Sequence, residues 1–207
     1  MSITCEQSDM TMTSTPTILI VPGLRDYVDD HWQTLLERRL PNAYSVPPLT
    51  HGKLDCAARV AALDAAFARI DGPVVLVAHS AGVMIAAHWA QRHPQHQRRI
   101  RGALLATPPD FDVPLPDGYP TPDLLRQHGW LPVPRMRLGF PSIVAASSND
   151  PLASIGRVAE LAQAWGSRFV DIGAAGHLNP ASGYGEWPLA EELIAELCLE
   201  PSHHRYA

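Results

Sequence analysis

The chain has 207 residues, 46% of them apolar and 18% charged, with a formal net charge of −5. That length carries one domain with a full hydrophobic core, and the composition excludes an intrinsically disordered chain. The acidic balance lacks the basic face of a general nucleic-acid binder, and no apolar run approaches the ~20 residues that span a bilayer.

The three cysteines, Cys5, Cys56 and Cys198, form no CxxC pair and no disulfide framework, which fits a reducing cytoplasm. Residues 1–16 lack a basic start and an apolar segment, so they read as a loose tail rather than a secretory signal. The expected organisation is one domain over residues 17–199, between that tail and a short one at 200–207.

In chain order, Ile18 to Val21 is apolar throughout and stops at Pro22-Gly23. A helix is expected over residues 31–40, with Asp30 and Gln33 as a capping box. A weaker strand follows at Tyr44 to Val46. Residues 55–70 place Val60, Leu63, Phe67 and Ile70 at helical spacing. Val74 to Ala78 is again fully apolar, and a helix over 81–93 ends before Pro94. Ala103 to Ala106 runs into Pro108-Pro109. Ile143 to Ala146 follows Pro141, and Phe169 to Ile172 ends at Gly173. Helices are expected over 154–164, capped by Ser154, and over 188–199, opened by Pro188. Strands apolar on every residue are buried on both faces, as in a parallel sheet covered by helices. The alternation predicts a three-layer α/β domain with about six mainly parallel strands.

Thr107 to Pro141 interrupts this rhythm with nine prolines and the aromatics Phe111, Tyr119, Trp130 and Phe140. Proline lowers chain entropy, so an ordered loop without regular structure is expected there, forming an apolar wall.

The strongest chemical signal is Ala78-His79-Ser80-Ala81-Gly82, a variant of G-x-S-x-G after a buried strand and before a helix. Neighbours two positions from the serine must be small, and alanine is the next smallest choice after glycine. Ser80 is the expected nucleophile. A serine hydroxyl needs a base near neutral pH, and a histidine base needs a carboxylate to fix its tautomer. In the α/β-hydrolase order the acid and then the histidine follow later strands. Asp150 follows Ile143 to Ala146, and His177 follows Phe169 to Ile172 through a glycine-rich loop. Asp110 and Asp112, after an earlier strand, are the competing acids. Asn149 carries no charge, and Asp171 faces away within its strand.

The expected oxyanion donors are the amides of Ala81, at a helix N-terminus, and Leu24. Gly23 is expected to supply an unusual backbone angle, and Arg25 and Asp26 to brace that loop as an ion pair. Gly23, His79 and Trp32 are the candidate substrate contacts, Trp32 having core burial as its stronger reading. Among ten histidines there is no HExxH. His93, His96, His203 and His204 sit in polar segments and His88 on the helix after Ser80, so no metal is expected. No GxGxxG or GxxxxGK[ST] follows a strand, and no cofactor is expected.

The segments VPGLRDYVDDHWQTLLE, VVLVAHSAGVMIAAHWA, FPSIVAASSNDPLAS and GAAGHLNPASGYGEWP resemble the small single-domain serine hydrolases that include the YdeN-like proteins and the retinoblastoma-binding serine hydrolase. The resemblance implies a sheet lacking the first two strands of larger relatives, no large lid, and Ser80, Asp150 and His177 as a triad. It implies a structural role for Gly183 to Trp187 beside the histidine loop. The expected activity is hydrolysis of a small ester or related acyl substrate through an acyl-enzyme. Amide or peptide cleavage by the same triad, and a protein-interaction module that keeps the fold, are the alternatives.

Overall fold

The computed structural model describes residues 15–199; all but the last two residues of the tail expected at 1–16, and the whole of that expected at 200–207, lie outside them. Six strands form one parallel sheet in the order β2-β1-β3-β4-β5-β6. They are β1 (Thr17–Val21), β2 (Ala43–Ser45), β3 (Val74–His79), β4 (Ile100–Ala106), β5 (Ser142–Ala146) and β6 (Arg168–Asp171). The helices are α1 (Trp32–Arg39), α2 (Cys56–Phe67), α3 (Ala81–Arg92), α4 (Pro122–Gln127), α5 (Ile155–Trp165) and α6 (Pro188–Cys198).

Because successive strand residues face opposite sides, the sheet divides the core in two. Leu19, Val21, Leu76, Ala78, Leu105 and Val144 pack with α2, α3 and α5. Ile18, Ile20, Val75, Val77, Leu104 and Ile143 pack with α1 and α6. Every residue of β3 is buried, as its unbroken apolar run requires. Edge strand β6 is mostly exposed.

Ser154 caps α5 and Pro188 opens α6, both as the sequence suggests. The cap of α1 differs. His31, not Asp30, is the N-cap, its Nδ1 accepting from the Gln33 amide at 3.2 Å. The Gln33 side chain is drawn instead to the sheet, where its Nε2 donates to the carbonyls of Val77 at 2.9 Å and Val21 at 3.4 Å.

The proline-rich stretch is ordered, but it contains the short helix α4 and does not act as one wall. Trp130 and Phe140 belong to the core on the α2, α3 and α5 side of the sheet. The Trp130 indole donates to the Leu54 carbonyl at 2.6 Å, which anchors the stretch to the start of α2. Among the described residues no helix is long and apolar enough to cross a membrane.

Candidate active site

Strand order reverses between β1 and β3, so the loops leaving these two strands diverge to opposite faces and open a crevice at their carboxyl ends. Ser80 sits there, between β3 and α3, with φ 57° and ψ −130°. This left-handed backbone is costly for a non-glycine residue and marks a strained elbow. The strain is held in place by neighbours: the Ser80 amide donates to the Ala106 carbonyl at 3.0 Å. A Cβ on Gly82 would collide with the Val21 and Pro22 carbonyls, which is why the second small position of the motif is glycine.

His177 Nε2 lies 2.8 Å from Ser80 Oγ. Its Nδ1 lies 2.9 and 3.0 Å from the two Asp150 oxygens. The His177 and Asp150 side chains are only 5% and 2% exposed, so water competes little for these contacts. Asp150 also accepts from the Leu152 amide at 2.9 Å. Asp110 and Asp112 are engaged elsewhere, with Arg157 at 2.9 and 3.1 Å, and Asp112 also with Arg135.

The histidine loop is held by residues that carry no motif. Ser147 Oγ accepts from the Ala175 amide, and Asn149 Oδ1 accepts from the Gly176 amide at 2.6 Å. Ser182 Oγ accepts from the His177 amide at 3.0 Å and donates to Asn179. A side chain on Gly176, at φ 56°, would strike Ser182. The Gly183 to Trp187 segment closes behind this loop, with Trp187 edge-on to Trp32 at 4.9 Å. Short polar side chains that meet backbone amides across space leave no periodic trace in a sequence.

The loop after β1 differs from expectation. Arg25 and Asp26 do not pair with each other. Asp26 binds the buried Arg59 of α2 at 2.6 Å, and Arg25 extends over the Tyr119 ring at 6.0 Å. The Arg59 guanidinium also donates to the carbonyls of Leu24 at 3.1 Å and Gly23 at 3.3 Å. A trans peptide holds its N–H opposite its C=O, so the Leu24 N–H points away from Arg59. The left-handed residue of the loop is Asp26, at φ 55°, not Gly23. Gly23 serves close approach instead: a Cβ there would lie 3.2 Å from Ser80 Cβ.

A cavity of about 150 Å³ opens onto Ser80. Leu24, Arg25, Pro109, Phe111, Leu115, Tyr119 and Leu152 are among its lining residues, and Gly23, His79 and Ala81 also reach it. Trp32 does not line this cavity. It is 2% exposed and packs beneath it on Trp187 and His79, since a large apolar ring gains more from the core than from the rim.

His79 is buried, and its Nε2 lies 2.9 Å from the His177 carbonyl. Burial, reinforced by repulsion from the His177 and His31 rings, pushes its pKa well down. His31 behaves alike: burial, then His177, lowers it from 6.5 to about 4. Between those values the unfolded chain binds a proton that the folded chain refuses, so stability falls as pH falls. The urea midpoint is expected to drop from pH 6.5 to pH 4, and to drop less in His31→Asn, which retains a capping side chain. An unchanged pH slope in that variant would refute the assignment.

A six-stranded parallel sheet between helical layers, with a strained serine elbow at its carboxyl edge, is an α/β-hydrolase fold. The family model described as "Serine hydrolase" matches residues 18–196, and the chain belongs to that family. A putative YdeN-like hydrolase from Pectobacterium atrosepticum is 32% identical over 89% of this chain and 91% of its own, with a TM-score of 0.72. The ydeN gene product of B. subtilis is 16% identical over 88% of this chain and 98% of its own, with a TM-score of 0.66. Est1E of Butyrivibrio proteoclasticus, solved with ferulic acid bound, is 11% identical over 88% of this chain and 89% of its own, with a TM-score of 0.64. No protein of curated function matches the sequence.

Proposed function

We propose that the chain hydrolyses small carboxylic esters with short acyl groups through an acyl-enzyme on Ser80. The observation that carries this reading is the continuous line from Asp150 through His177 to Ser80 Oγ, ending in the cavity. The Ser80 proton passes to His177 Nε2 as Oγ attacks the carbonyl carbon, giving a tetrahedral oxyanion. Asp150 holds Nδ1–H and stabilises the imidazolium. The imidazolium then protonates the leaving alkoxide, and water repeats the sequence on the acyl-enzyme to release a carboxylic acid.

The amides of Ala81 and Leu24 are the proposed oxyanion donors. Two features favour them: Ala81 opens α3, where the helix dipole is positive, and Arg59 fixes the loop that carries Leu24. We read His79, which also borders the cavity, chiefly as a support for the His177 loop, because its Nε2 lies 2.9 Å from the His177 carbonyl. No step in this sequence calls for a cofactor.

The cavity, about 150 Å³, is half the roughly 300 Å³ at which ligand pockets usually begin. Extra methylenes beyond such a space stay in water and gain none of the ~0.8 kcal/mol each that burial supplies. Esters of about two to six acyl carbons are therefore expected to be turned over best. The measurement is kcat/KM along a chain-length series with one leaving group. A steady rise through long chains sinks the size assignment. Failure of a fluorophosphonate to label Ser80 sinks the covalent mechanism.

A further inference from the structure

At the end of α3 remote from Ser80, three side chains converge that the hydrolytic reaction does not use. They are Asp64 on α2, His93 at the C-cap of α3, and His96 in the 3₁₀ turn Pro94–Arg99. Their approach follows from local geometry. Residues i and i+3 eclipse in a 3₁₀ turn, so His93 and His96 project to one side, with the His96 amide donating to the His93 carbonyl at 3.0 Å. The two rings stack at 5.7 Å, and both lie against the buried Trp89 indole at 6.0 Å. Phe67 closes the side of His96 at 5.2 Å.

His93 Nδ1 lies 3.3 Å and His96 Nε2 3.7 Å from Asp64 Oδ1. One ligand atom from each of the three residues falls within a span of 4.8 Å. Bonds of about 2.0–2.1 Å to a tetrahedral zinc ion put neighbouring ligand atoms about 3.3–3.4 Å apart. The observed spacings match two edges of that tetrahedron with a small adjustment. The Trp89 Nε1–H donates to Asp64 Oδ1 at 2.9 Å, the outer contact that commonly orients a ligating carboxylate. All three side chains are only about a quarter to a third exposed, so solvent reaches the cluster from one side, where a fourth ligand would be water.

We propose that Asp64, His93 and His96 bind one divalent transition-metal ion of the zinc class, as a staple between α2 and the end of α3. Two imidazoles and one carboxylate suit zinc, nickel or cobalt and disfavour the all-oxygen shells of magnesium and calcium. Thirteen residues of chain at ~1.5 Å rise separate Ser80 from His93, so the ion sits about 20 Å from the ester site and stabilises without taking part in hydrolysis.

The test is titration of the full-length, tag-free protein with Co²⁺, followed by its visible absorption. Saturation at one ion per chain, displacement by Zn²⁺ and a Zn²⁺-dependent rise in Tm are expected. His96→Gln and Asp64→Asn are expected to weaken Co²⁺ binding by about tenfold or more, with circular dichroism and ester hydrolysis unchanged. Asp64→Asn retains an oxygen to accept from Trp89, so it separates loss of the ligand from loss of the fold. Absence of Co²⁺ binding to the parent protein, or equal binding by both variants, overturns the proposal.

Discussion

Ser80→Ala is expected to lower ester turnover by roughly 10⁶, the scale on which loss of a serine nucleophile acts. In the proposed mechanism the hydroxyl forms the acyl bond, and its removal leaves the cavity with no covalent route. Stability is expected to change little, because one small polar atom leaves a half-buried position whose backbone is held by the Ala106 carbonyl. Steady-state hydrolysis of a short-chain ester, with circular dichroism of the same sample, measures both. Turnover well above the uncatalysed rate in a folded Ser80→Ala protein would remove Ser80 from the mechanism.

Asp150→Asn is expected to cost on the order of 10³ to 10⁴ in kcat while leaving KM nearly unchanged. Asparagine can present its NH₂ to Nδ1, which favours the tautomer with the proton on Nε2. That nitrogen faces Ser80 Oγ at 2.8 Å and then cannot accept the proton. The comparison is with Asp110→Asn. Asp110 is buried against Arg157, so its substitution is expected to lower Tm and spare kcat. If Asp110→Asn gives the larger loss in kcat, the acid stands after β4 and the assignment of Asp150 fails.

The sheet was legible because a strand covered on both faces must be apolar at every position, and β1, β3 and β5 each are or nearly are. The convergence of Ser80, Asp150 and His177 was legible because each follows a strand of one parallel sheet, β3, β5 and the exposed edge strand β6, and the fold brings the carboxyl ends of those strands together. Features made by side chains crossing between elements were not. Gln33 stands three residues after Asp30, the spacing of a capping box, yet two strand-end carbonyls claim its amide. Arg25 and Asp26 are adjacent and opposite in charge, but Arg59 of α2, far along the chain, offers Asp26 a buried partner. Trp130 and Phe140 have the composition of a cleft wall and the burial of a core. Asp64, His93 and His96 match no ligand motif because 29 residues part the first from the second, and only the packing of α2 on α3 joins them.

The buried Arg59 grips the loop after β1 entirely from beneath, through the Gly23 and Leu24 carbonyls and the Asp26 carboxylate. The geometry of the Leu24 peptide therefore depends on Arg59, a side chain that does not line the cavity. The upper side of the same loop, where Arg25 stands exposed above Tyr119, carries none of that restraint. Under the proposed function, substitution at position 25 is expected to change the cavity rim without disturbing the peptide plane below it. Under the proposed mechanism the rim of the cavity is thus free to vary in chemistry while the peptide plane at its base keeps its support.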